Sequence, residues 1–176
     1  WLKPFWPEAV VPGVQAQRVR VQLELGGGFA MDFALRVVES VAFSLHSVIG
    51  ITDPCHGFGE HLGEGSLPRW FWPVAGLALA LVALANFSGE DAVVLGAQAY
   101  IAAFHSGAVF MHLRVGHHPA AGLAPGLFVL LAAAVAALRA GPWIALVGTA
   151  ACAAAGVLLG RLLVKRPSPG TPPLLG

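Results

Sequence analysis

Charge is what this sequence has least of. Lys, Arg, Asp and Glu make up 11% of the 176 residues, against a hydrophobic share of 57%. A soluble domain of this size carries about 25% charged residues, because its surface must face water. So little charge cannot cover a soluble particle, which leaves lipid as the solvent for most of the surface. The mean hydropathy of +0.75 agrees. With a net charge of +1 and no basic cluster beyond Lys165-Arg166, a nucleic-acid partner is excluded.

Cysteine is scarcer still. Cys55 falls in a polar connection and Cys152 in an apolar run, with no CxxC motif, and two sulfurs are too few for a tetrahedral thiolate site. Also missing are GxSxG, HExxH, a phosphate-cradling glycine loop with its Lys, and the dinucleotide fingerprint. These absences point away from a catalytic chain. The segment 53–61 gathers Cys55, His56, His61, Asp53 and Glu60, but in no metal-binding spacing, and its glycines permit a plain turn.

What is present is a series of apolar runs: 29–51, 70–87, 92–115, 123–138 and 144–164. Each approaches the roughly 20 residues that cross a bilayer core of about 30 Å. The fold class expected is an all-α membrane protein, a bundle of four or five transmembrane helices. Trp70-Phe71-Trp72 opens the second run and suits the headgroup layer. Residues 1–28 are read as a short extramembrane N-terminal segment, 29–166 as the bundle and 167–176 as a Pro-rich tail. Within the first segment, Arg18-Val19-Arg20-Val21-Gln22-Leu23-Glu24-Leu25 alternates polar and apolar, a strand pattern. A lone strand must pair with another chain. Gly26-Gly27-Gly28 then reads as a break. With five spans the basic residues divide almost evenly between the two sides, so orientation stays open.

Two runs carry polar stripes. In the first, Asp32, Arg36, Glu39, Phe43, His46 and Gly50 recur at steps of four and three and share one helix face. Arg36 can pair with Asp32 and with Glu39, offsetting the cost of charge in a bilayer. In the third, Gln98, His105 and His112 repeat every seven residues. The two stripes are expected to face each other. His46, His105 and His112 then become candidate cofactor ligands, since a neutral imidazole coordinates haem iron or the magnesium of chlorophyll. The competing role is plain hydrogen bonding between helices. In the fifth run Gly148, Cys152, Gly156 and Gly160 lie four apart, which lets two helix backbones approach closely, within the chain or against a partner subunit.

Two stretches resemble the DoxX-like membrane proteins. One runs from Leu35-Arg36 through Phe43 to Thr52-Asp53-Pro54. The other is Gly107-Ala108-Val109-Phe110-Met111-His112-Leu113-Arg114-Val115-Gly116, followed by Ala124-Pro125. The resemblance covers about residues 33–139. It implies a small four-helix bundle, in some members a partner of quinone-linked sulfur oxidation or redox-stress complexes. Arg36, His112 and Arg114 match positions that family tends to keep polar. Gly50 or Ile51 replaces the Lys that often closes its first helix, and Asn86 is the only strongly polar group where its second helix often holds an acid.

The function expected from all this is a non-catalytic accessory subunit of a large organellar membrane complex. A first residue of Trp rather than Met is read as a trimmed presequence or an incomplete start. Histidines in apolar helices then favour a photosystem in the thylakoid, with chlorophyll or carotenoid as cofactors and other membrane subunits as partners. The alternatives are a DoxX-like subunit of a quinone-linked redox complex and an accessory subunit of a mitochondrial respiratory complex.

Overall fold

The computed structural model of the chain describes residues 12–52, 67, 70–114 and 116–163. Among them there are five α-helices, one 3-10 turn and no strand. The helices are α1 (Pro12–Thr52), α2 (Phe71–Ala85), α3 (Asp91–Arg114), α4 (Leu123–Ala140) and α5 (Pro142–Leu163), with the 3-10 turn at Pro119–Gly122 before α4. The segment 53–61 and the basic pair 165–166 lie outside the described residues.

The alternating segment 18–25 is helical, not extended, and Gly26-Gly27-Gly28 does not interrupt it. A lone strand has no partner for its N–H and C=O groups, whereas a helix satisfies its own. Once the following turns are helical, adding one more residue costs no new nucleus. Gln, Arg, Leu and Glu propagate a helix well, and each glycine withdraws only about 1 kcal/mol. The argument that this segment pairs as a strand with another chain therefore falls.

From α2 onward the described connections are short and chemically explicit. The α2 to α3 turn closes through Phe87 N–H to Leu84 O (3.0 Å) and Ser88 N–H to Ala85 O (3.0 Å), and Ser88 Oγ accepts from Glu90 N–H (3.1 Å). Between α4 and α5 stands Gly141 at φ +89°, a conformation only glycine adopts freely, with Pro142 opening the next helix. The His118 ring accepts from Ala120 N–H (3.2 Å) and caps the 3-10 turn.

α1 packs along α2, α3 packs against both α4 and α5, and α4 packs on α5. Phe43, Val94, Ile101 and Val135 sit fully buried at the centre. The distribution of polarity is inverted relative to a soluble protein. Leu130, Trp143, Ile144, Leu146 and Leu158 are exposed, while Asp32, Arg36, Glu39, Asn86 and Gln98 are buried. Three stretches are long and apolar enough to cross a membrane: Asp91–Arg114, Pro119–Ala140 and Pro142–Leu163. α2 is equally apolar but has 15 residues, and α1 carries three charged side chains in the stretch 32–39.

The small residues of α5 meet α3 inside the chain. A Cβ on Gly156 would stand 1.8 Å from Ala103 O, and one on Gly160 would stand 3.1 Å from Phe110 Cδ1. Cys152 packs at the edge of the core. Gly148 departs from the expected face, because a Cβ there meets nothing within 4 Å. The packed face therefore spans Cys152, Gly156 and Gly160, three of the four positions.

Candidate functional site

The stripe of α1 builds a buried polar cluster. Arg36 pairs with Asp32 one turn away at 2.9 Å. Arg139, from the last turn of α4, grips the same carboxylate with two parallel bonds, Nε to Oδ1 at 3.1 Å and Nη2 to Oδ2 at 3.0 Å, and also contacts Asp91 at the start of α3. That fork matches carboxylate geometry in a way Lys could not. Arg36 donates its remaining Nη1 bond to the backbone carbonyl of Asn86.

The expected Arg36–Glu39 pair does not form. Arg36 is engaged by Asp32 and Asn86, and Glu39 turns to two amides instead. Its Oε2 accepts from Asn86 Nδ2 and Gln98 Nε2, each at 3.0 Å, and Gln98 Nε2 also donates to Asn86 Oδ1 at 2.8 Å. Ser40 Oγ adds a bond to Ala83 O (3.1 Å), fixing α1 against α2. The stripes of α1 and α3 thus meet through long side chains, while α2 and α4 fill the space between their backbones.

Beyond this cluster, Phe43 closes the polar region and a cavity begins. It measures about 560 Å³ and is lined by His46, His105 and His112 together with the rings of Phe71, Phe104 and Phe128. The volume falls within the range of pockets that hold drug-sized ligands. His46 Nδ1 lies 2.8 Å from Ala42 O and His105 Nδ1 lies 3.0 Å from Ile101 O. A carbonyl only accepts, so in each ring Nδ1 carries a proton, and in the neutral ring Nε2 is then the lone-pair nitrogen. The Phe128 ring stands beside both imidazoles, its centroid 4.9 Å from His105 and 6.2 Å from His46. At the far end the Nδ1 atoms of His112 and His117 lie 2.8 Å apart, a hydrogen bond in which one ring donates and the other accepts.

Trp72 also lines the cavity, so Phe71 and Trp72 turn inward while Trp70 alone of that aromatic cluster is largely exposed. Among the described residues no group of three or more His, Cys, Asp or Glu could hold a metal ion. What the cavity offers is an apolar, aromatic-walled slot with imidazole nitrogens as its strong polar contacts. Such a slot can hold a flat apolar ring and hydrogen-bond a few oxygen atoms on it.

Several of these residues escaped the sequence. Arg139 reads there as an interruption between two runs, and its isolation in an apolar stretch was the available signal. Asn86 reads as the weak remnant of a missing acid, yet it is fully buried and bonds to Glu39, Gln98 and Arg36. Phe128 gives no signal, because an aromatic in an apolar helix is ordinary. Compared with known proteins, the chain matches no family model, and neither a curated protein nor a solved structure matches it significantly.

Proposed function

We propose that the chain is an integral membrane subunit that binds an isoprenoid quinone head in its histidine-lined cavity, as part of a quinone-linked redox complex. Five crossings fit this reading, with α1 entering the bilayer over about residues 29–51 and the 15-residue α2 crossing beside it where a short span thins the bilayer locally. The observation that carries it is the pairing of His46 and His105 across the Phe128 ring, each locked with Nε2 as the lone-pair nitrogen. A quinone head is a flat ring with oxygens at opposite ends and an apolar tail. The aromatic walls suit the ring, and in the reduced, quinol form each ring oxygen is a hydroxyl that can donate to an imidazole Nε2 lone pair. The exposed leucines and valines outside supply the lipid-facing surface that the tail would meet. The DoxX-like resemblance points to the same class of partner.

The test is identification of what the protein carries. The full chain is purified in mild detergent, its bound lipophiles are extracted, and a short-chain quinol is titrated while tryptophan fluorescence, Trp72 lining the cavity, is followed. Co-purified quinone and saturable quenching, weakened by His105→Leu, support the reading. Chlorophyll or carotenoid in the extract, or quenching equally produced by a fatty alcohol, overturns it.

A further inference from the structure

The polar cluster contains one ionisable group more than it can balance. Asp32 and Asp91 are matched by Arg36 and Arg139, each acid in contact with a guanidinium and each guanidinium with an acid. Glu39 is the fifth. No cation touches it: its partners are the amides of Asn86 and Gln98, both on Oε2, and Oε1 has no partner at all. The side chain is fully buried. An ionised carboxylate in that position would be a buried charge with no cation in contact, supported by two amide donors on Oε2 alone.

Two more atoms of the cluster share the same condition. Gln98 Oε1 is a buried acceptor without a donor, and Arg36 Nε is a buried donor without an acceptor. A proton on Glu39 Oε1 turns an orphaned acceptor into a donor and brings the cluster to neutrality in one step. A single buried water would serve the remaining donor and acceptor, since it offers both functions.

We propose that Glu39 is a proton-binding site, a neutral carboxylic acid inside the bundle that exchanges its proton with solvent at the Asp91 edge. The route is short. The Asp91 side chain is 71% exposed, Arg139 joins it to Asp32, and Arg36 joins Asp32 to the Asn86 carbonyl beside Glu39. The guanidinium groups keep their charge throughout and order the water that carries the proton. On the other side Phe43, fully buried, lies one turn from Glu39 and 5.3 Å from the His105 ring, separating the acid from the cavity. The site is independent of the quinone reading, because it needs no ligand in the cavity.

Infrared spectroscopy of the purified full chain at neutral pH tests it. The expected spectrum contains the C=O stretch of one protonated carboxylic acid, which moves on transfer to D₂O. Glu39→Gln removes the band, Glu39→Asp shifts it, and the exposed Glu90→Gln leaves it unchanged. Because Gln is isosteric and neutral, Glu39→Gln should melt at or above the wild-type temperature. Absence of the band, its survival in Glu39→Gln, its indifference to D₂O, or a marked fall in the melting temperature of Glu39→Gln would each overturn the proposal.

Discussion

Gln98 Nε2 stands 3.0 Å from Glu39 Oε2, joining residues 59 apart in the chain and on two different helices. The same nitrogen reaches Asn86 Oδ1 at 2.8 Å, so one amide holds three helices together: α1, the end of α2 and α3. In an apolar medium the bonds of such a group are worth most through the cost of losing them.

Gln98→Leu is therefore expected to destabilise the bundle by about 1–3 kcal/mol for each buried group it orphans. Asn86 Oδ1 loses its donor, and Glu39 Oε2 loses one of its two. Thermal melting in detergent measures the loss. Glu39→Leu combined with Gln98→Leu should cost less than the two separate losses added, because the Glu39–Gln98 bond that each single variant breaks is lost only once. Additive losses would show that the two side chains act independently.

Arg139→Leu strips Asp32 of its forked partner and leaves a buried carboxylate with Arg36 alone. Breaking a buried pair from one side costs about 3–5 kcal/mol. Adding Asp32→Asn should recover part of that loss, whereas Arg139→Lys should recover less than a charge count implies, since an ammonium cannot form the two parallel bonds. Melting of the three variants side by side decides the matter. Equal stability of Arg139→Lys and the wild type would argue that the fork is dispensable.

Gly156→Leu is expected to separate α3 from α5. Even the first carbon of the new side chain would fall 1.8 Å from Ala103 O, which is backbone and cannot swing aside. Overpacking of this kind costs about 1–3 kcal/mol or more. Gly148→Leu, where a Cβ meets open space, should be nearly neutral. Chain monodispersity and melting after purification distinguish the pair of variants. Equal loss at both positions would mean that Gly148 contacts something outside the chain.

For the cavity, His46→Leu and His105→Leu should each weaken short-chain quinol binding roughly tenfold, which equals about 1.4 kcal/mol and is what one hydrogen bond from a ligand hydroxyl supplies. Leu130→Ala, on the exposed face of α4, should leave binding unchanged. Fluorescence titration gives the dissociation constants. A loss of the same size in Leu130→Ala would place the ligand on the lipid-facing surface.

The sequence by itself determined the class of fold and most helix positions. Scarce charge and long apolar runs leave helices in lipid as the available solution, and the observed starts at Asp91, Leu123 and Pro142 lie within two residues of those read from hydropathy. Spacing by threes and fours also placed Asp32, Arg36 and Glu39 on one face and His105 and His112 on another. It misled at 18–25, where alternation marked a strand but continuity with a helix decided otherwise. Partner choice was left to the tertiary structure. Arg36 with Glu39 and Arg139 with Asp32 are equally sound by charge, and only the approach of α4 to α1 gives Asp32 two guanidinium groups and leaves Glu39 to the amides of Asn86 and Gln98. Likewise, periodicity can align histidines along a helix, but the shape between helices sets what they surround. Gly107 and Gly156 bring α3 and α5 together, and the rings of Phe71, Phe104 and Phe128 line the cavity beside that contact. Close packing of small residues at one point and large ones at another is a property of several helices at once, and no single stretch of sequence carries it.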